Sequence, residues 1–203
     1  MVDDGGNEYW VFGYGSLCWN PGFEYKDSMV GYVQGFSRKF WQGNIAHRGT
    51  KNKGFVWGKA FHLPDEFAFQ YLQMREVFMG GYEVHKVDVH SEDGSRVVNA
   101  TVYVATGDNS QWLGEAPVDE LAAQVATCSG PAGHNAEYVI LLARWERLYA
   151  PDDRLDAELA ELERLVIGRL TEAGINIDDV LTTNKRVSFS SMVPEKKLRC
   201  LHI

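Results

Sequence analysis

Hydrophobic positions gather in short β-branched and aromatic runs through the first half of the chain and recur at helical spacing through the second. Tyr9–Tyr14, Met29–Phe40, Phe55–Leu63, Tyr82–Val89 and Val97–Ala105 are rich in Val, Tyr, Phe and Trp. These are the side chains that suit a pleated, half-buried surface, and each run predicts a strand. Between the third and fourth runs, Asp65–Glu76 predicts a helix. Pro64-Asp65 supplies its start, and Phe69, Leu72 and Glu76 recur on one face before Gly80-Gly81 breaks the chain.

Three further helices are expected. Ala116–Thr127 has Pro117 in its first turn and Leu121 and Val125 on one face. Asn135–Tyr149 follows the Gly130-Pro131-Ala132-Gly133 turn. Asp153–Leu170 carries Leu155, Leu159, Leu162, Val166 and Leu170 in one stripe, which predicts packing on the domain core, with a partner-binding helix as the lesser alternative. Strands clustered early, without regular β-α-β alternation, predict an α+β fold. One domain is expected over residues 1–179. Beyond Asp179 the character changes, with Lys185, Arg186, Lys196, Lys197 and Arg199 against the single acid Glu195, a basic tail over 180–203.

Bulk properties narrow the function. The 203 residues are 45% hydrophobic, enough for one substantial core, and the formal charge of −8 argues against a nucleic-acid surface. No apolar run reaches the length of a membrane span, and Met1-Val2-Asp3-Asp4 is acidic rather than signal-like. Cys18, Cys128 and Cys200 lie far apart, which argues against a disulfide framework or zinc site and for a reducing compartment. A cytoplasmic protein is expected, with no nucleic-acid or membrane partner.

The candidate chemistry begins at Val11-Phe12-Gly13-Tyr14-Gly15-Ser16-Leu17, where a strand stops in a loop of two glycines. Glycine permits φ > 0 and close approach to main-chain N–H groups, which suits a carboxylate, a phosphate or a developing oxyanion. A plain tight turn fits the same pattern. Glu76 stands at the C-terminal end of its predicted helix, beside Arg75 and before Val77-Phe78-Met79. The helix dipole and apolar neighbours both disfavour a carboxylate there, a setting suited to general-base work, although a surface Glu paired with Arg75 fits position alone. Other candidates are weaker. His85 and His90 are five apart on a strand and project to opposite faces, so they cannot chelate one metal. His47-Arg48-Gly49 reads as a solvated loop, Ser16 lacks a nucleophile elbow, and Cys18 lacks a base. No P-loop or dinucleotide fingerprint is present. Catalysis without metal, cofactor or covalent intermediate is the simplest enzymatic expectation.

A series of short motifs runs in order along Tyr9 to Tyr149: Val11–Leu17 with Trp19, Ser37-Arg38-Lys39-Phe40-Trp41-Gln42-Gly43, His47-Arg48-Gly49, Val56-Trp57-Gly58, Arg75-Glu76 with Gly80-Gly81-Tyr82, and Tyr103-Val104-Ala105. Leu113-Gly114-Glu115-Ala116-Pro117 and Ser129–Tyr138 complete it. On these motifs the chain resembles the ChaC family of glutathione-specific γ-glutamylcyclotransferases. The resemblance implies a small mixed β-barrel with flanking helices and conversion of glutathione to 5-oxoproline and cysteinylglycine. It makes Glu76 the catalytic residue and Val11, Phe12, Gly13, Tyr14, Gly15, Ser16 and Leu17 the substrate-binding loop, with Tyr82 and Tyr138 as further substrate-binding candidates. No cofactor is implied, and a monomer is favoured. A non-catalytic binding module on the same fold, or a cyclotransferase for other γ-glutamyl compounds, is the alternative. One departure stands out: only Thr50–Phe55 bridges the His-Arg-Gly and Val-Trp-Gly motifs, where the family carries a longer segment with a strand. Barrel closure and one wall of the substrate cleft depend on that region.

Overall fold

The computed structural model of the chain describes residues 8–40, 46–47, 54–78, 82–104, 114–130 and 133–181. The expected Gly80-Gly81 break, Arg48-Gly49 and the basic tail past residue 181 lie outside them.

Five strands close a barrel: β1 (Trp10–Gly13), β2 (Asp27–Gln34), β5 (Phe55–His62), β6 (Glu83–Ser91) and β7 (Val97–Val104), in the order β1-β5-β2-β6-β7. The short bridge before Phe55 has therefore not kept the barrel open. β2 and β5 pair along their whole length, from Asp27↔His62 to Gln34↔Phe55, and β6 and β7 from Glu83↔Val104 to His90↔Val97. The expected strand over Met29–Phe40 is divided instead. Gly35 takes φ +81°, a left-handed turn that ends β2 before the two-residue β3 (Arg38–Lys39), which pairs with β4 (Ala46–His47).

Period-two alternation decides what fills the barrel. Trp10, Phe12 and Tyr14 point inward with Met29, Val33, Val56, Ala60, Val87, Val89 and Val102. Val11, between them, points outward against Leu63, Leu72 and Tyr103 under α1 (Glu66–Gln73). Closure brings β1 hard against its neighbour: a Cβ on Gly58 would stand 2.4 Å from the Gly13 carbonyl oxygen and 2.5 Å from the Phe12 ring. Only glycine fits that crossing.

The second half forms a helical layer of α2 (Val118–Thr127), α3 (Asn135–Tyr149), α4 (Ala157–Glu172) and the short α5 (Ile177–Val180). The two-residue β8 (Ser129–Gly130) and β9 (Gly133–His134) form a hairpin before α3. Leu159, Leu162, Val166 and Leu170 are fully buried against α2 and α3, so the stripe on α4 is core, and Leu155 packs beside Trp57 and Trp145. Pro117 is the N-cap of α2 rather than part of its first turn, and the chain before α4 is a 3-10 turn, Asp152–Arg154. No helix of the described residues is long and apolar enough to cross a membrane.

A buried ion cluster joins barrel to helices. Arg38 on β3 has a fully buried side chain; its guanidinium meets Glu146 of α3 at 3.0 Å, Asp156 at 3.3 Å and the Trp57 carbonyl of β5 at 2.8 Å. Glu146 also accepts from the Asp156 N–H, and Asp156 caps α4 by accepting from the N–H groups of Glu158 and Leu159. Burial works against the Arg38 charge, but the two carboxylates outweigh it and hold its pKa above the ordinary value. Such clusters add little net stability, yet removing one member strands a desolvated charge. Glu146→Ala is expected to cost about 3–5 kcal/mol by urea denaturation; a loss below about 1 kcal/mol would place the cluster outside the cooperative core.

Candidate active site

β1 ends at Gly13, and the chain turns at once through Tyr14 and Gly15 into a 3-10 turn, Ser16–Cys18. Gly13 and Gly15 do not use left-handed backbone: φ is −130° at Gly15, and neither is among the positive-φ glycines. What Gly13 supplies is room, since a Cβ there would lie 2.5 Å from the Leu17 Cβ. The turn satisfies its own later donors, with Cys18 N–H on the Gly15 carbonyl and those of Trp19 and Asn20 on Ser16. Among the described residues no backbone acceptor meets the N–H groups of Gly15, Ser16 or Leu17. Three main-chain donors thus lie side by side.

The tyrosine between the glycines is built into the barrel mouth. Tyr14 is buried, and its hydroxyl donates to the Tyr103 carbonyl near the end of β7 at 2.7 Å. Burial raises its pKa above the ordinary value, the Glu76 carboxylate adds to the shift, and Arg38 opposes it. The phenol therefore stays protonated as a fixed donor within the field of Glu76.

Glu76 arrives from the other side of β1. α1 starts at the Asp65 cap, whose carboxylate accepts from Ala68 N–H at 2.8 Å. It runs up the outside of the barrel with Phe69 stacked on Tyr9 at 5.2 Å. Its eight residues rise about 12 Å, nearly the length of the four-residue β1 beside it. The helix then widens into a π turn, Met74–Phe78, and Glu76 sits half-buried in it. The Glu76 carbonyl accepts from Tyr82 N–H at 3.2 Å, and Val77 and Tyr82 pack against Val11 and Tyr103. The π turn, the start of β6, the end of β7 and the loop after β1 all meet at one barrel end.

The structure thus brings Glu76, Tyr14, Gly15, Ser16, Leu17 and Tyr82 into one neighbourhood. Val11 and Phe12 are 0% and 1% exposed and paired with Phe61 and Ala60, so their side chains belong to the barrel wall. Gly13 is likewise paired, with Lys59. Tyr138, on the first turn of α3, reaches the loop through Trp19, whose ring meets it edge-on at 5.5 Å. His85 and His90 stay apart, His85 beside Glu83 and His90 stacked on Tyr32. Sequence reasoning missed Tyr103, whose carbonyl anchors Tyr14, and Arg38; neither an apolar strand end nor a strand arginine signals such a role.

A model of the ChaC-like protein family matches residues 9–169. The chain belongs to the ChaC family. Human glutathione-specific gamma-glutamylcyclotransferase 1 is 40% identical over 169 residues, 75% of this chain and 76% of that one. The glutathione-specific gamma-glutamylcyclotransferases of Schizosaccharomyces pombe and Escherichia coli are each 33% identical, covering 76% and 77% of this chain and 90% and 74% of their own length. A solved γ-glutamylcyclotransferase from yeast, specific to glutathione, superposes with a TM-score of 0.67 at 24% identity, over 80% of this chain and 97% of that one. The fold is that of the γ-glutamylcyclotransferases.

Cys18 lies directly beneath the ChaC-family loop. Its thiol donates to the Gly13 carbonyl at 3.4 Å, and burial pushes its pKa up to about 12, with Arg38 pulling down and Glu146 pushing up. A thiol in that state is inert. In the folded protein at pH 8, Cys18 is expected to escape iodoacetamide and to react only after denaturation, as read by peptide mass spectrometry. Labelling of native Cys18 at the rate of a free thiol would contradict this placement.

Proposed function

We propose that this ChaC-family chain converts glutathione to 5-oxoproline and cysteinylglycine, with Glu76 as the proton carrier. The reading is supported by a half-buried carboxylate whose field reaches Tyr14, in the loop where the N–H groups of Gly15, Ser16 and Leu17 meet no backbone acceptor among the described residues, in a chain 40% identical to a glutathione-specific γ-glutamylcyclotransferase.

The substrate holds its own nucleophile. The α-amine attacks the γ-carbonyl carbon, a C–N bond closes the five-membered lactam, and the C–N bond to the cysteinyl nitrogen breaks. One proton leaves the α-nitrogen and one arrives on the cysteinyl nitrogen; Glu76 takes the first and returns it. Both nitrogens flank one carbon, so a single carboxylate serves both transfers. The N–H groups of Gly15, Ser16 and Leu17 hold the γ-carbonyl oxygen as it becomes an oxyanion, each well-placed donor contributing about 3–4 kcal/mol. Tyr14 fixes the loop through Tyr103, while Tyr82 and Tyr138 border the bound head group. Holding the γ-glutamyl chain folded supplies the remaining advantage of an intramolecular reaction. Neither metal nor cofactor is needed for this chemistry. The single domain over residues 1–179 acts as a monomer in the cytoplasm, without nucleic-acid or membrane partners.

Glu76→Gln keeps the shape and removes the proton carrier. It is expected to lower kcat for 5-oxoproline release from glutathione by about 10²–10⁴-fold with the melting temperature unchanged. Near-parental turnover would refute the assignment. γ-Glutamyl-alanine, assayed beside glutathione, should be a poor substrate; equal turnover would make the enzyme a general γ-glutamylcyclotransferase. No turnover of either by the parent chain, with glutathione still bound, would make it a binding module.

A further inference from the structure

Asn135 opens α3, a helix of 15 residues, immediately after the β8–β9 hairpin. Its main-chain N–H donates to the Cys128 carbonyl at 3.0 Å, but its carboxamide meets no hydrogen-bond partner among the described residues. The residue is 5% exposed, and among the described residues neither Oδ1 nor Nδ2 has a hydrogen-bond partner. A buried carboxamide left this way costs stability, and such groups concentrate where a ligand completes them. His134, the residue before it, is the helix cap. Its Nδ1 accepts from Ala136 N–H at 3.1 Å, and burial holds its pKa below the ordinary value, opposed by Glu137.

A second unmet donor lies nearby. Trp19 follows the 3-10 turn of the glycine loop, and its buried Nε1 also has no partner among the described residues. The Trp19 ring meets that of Tyr138, three residues and about one helical turn from Asn135 on the same face of α3. The first turn of α3 therefore abuts the loop whose opposite flank meets Glu76.

We propose that Asn135 binds the α-amino-acid head group of the γ-glutamyl substrate. The unmet atoms are one acceptor and two donors: Asn135 Oδ1 against Asn135 Nδ2 and Trp19 Nε1. A ligand that satisfies them must both donate and accept, as an ammonium next to a carboxylate does. Nδ2 and the Trp19 indole N–H donate to the α-carboxylate, which the positive end of the α3 dipole also favours. Oδ1 accepts one hydrogen of the α-ammonium, leaving another for Glu76. A lone terminal carboxylate, such as that of the glycine unit, would leave Oδ1 unmet. The inference rests on the cyclotransferase reading and assigns its head-group contact.

The test uses the full chain carrying Glu76→Gln, so that ligands bind without turnover, with and without Asn135→Ala. Calorimetry compares glutathione, γ-glutamylcysteine, and a glutathione analogue with a carboxamide replacing the α-carboxylate. Asn135→Ala should weaken the first two by the same factor, about 10–100-fold, and the analogue by less than about 3-fold. The melting temperature of the free chain should hold or rise, because an unmet buried amide has been removed. A lowered melting temperature, or unchanged affinity for glutathione, would overturn the proposal. So would a loss for glutathione that disappears with γ-glutamylcysteine, which would move Asn135 to the glycine end. If the Glu76→Gln chain with Asn135 intact binds no glutathione and the parent releases no 5-oxoproline, the cyclotransferase reading itself fails; binding and turnover with an indifferent Asn135→Ala sink this inference alone.

Discussion

Five strands cannot alternate direction all the way around a closed barrel, so one neighbouring pair must run parallel. Here that pair is β1 and β7, joined at Val11↔Thr101, while every other neighbouring pair is antiparallel. The odd strand number thereby puts the exits of β1 and β7 at the same end as the entry to β6. Tyr14 and Gly15 leave from the first, the Tyr103 carbonyl stands at the second, and Tyr82 leads into the third. A helix on the outside of β1 needs only one strand length to deliver Glu76 to the same mouth. The site is a consequence of strand parity before any side chain is chosen.

What holds that mouth against the helical layer is a buried charge rather than apolar contact alone. Arg38 draws on α3, the cap of α4 and the β5 main chain together, and it lies close enough to influence both Tyr14 and Cys18. A buried arginine among carboxylates gives orientation more than net stability. Orientation is what the loop requires, because Trp19 and Tyr138 set how α3 faces it.

Much of this was legible in the residues. Strand runs rich in β-branched and aromatic side chains located all five barrel strands, because burial on a pleated wall demands those types. Asn135–Tyr149 matched its helix at both ends, since a glycine turn precedes it and apolar spacing runs its length. Strand order was not legible; pairing depends on contacts far apart in sequence. The break at Gly35 lay within a stretch whose Val, Tyr and Phe residues read as one strand, and the π turn at Glu76 inside a continuous helical period. At the site, short motifs in family order pointed to Glu76 and the glycine loop. The side chains of Val11 and Phe12 belong to the barrel, and the motifs that contain Arg38 and Tyr103 gave no sign of their contacts, which exist only once the strands close.

In the proposed reaction one ligand touches both the Gly15–Leu17 amides and the side chain at position 76. A crystal structure of the Glu76→Gln chain soaked with glutathione reads this directly. The γ-carbonyl oxygen is expected within hydrogen-bond distance of those amides and the α-nitrogen within hydrogen-bond distance of residue 76. Glutathione bound with its γ-glutamyl unit away from either one would contradict it.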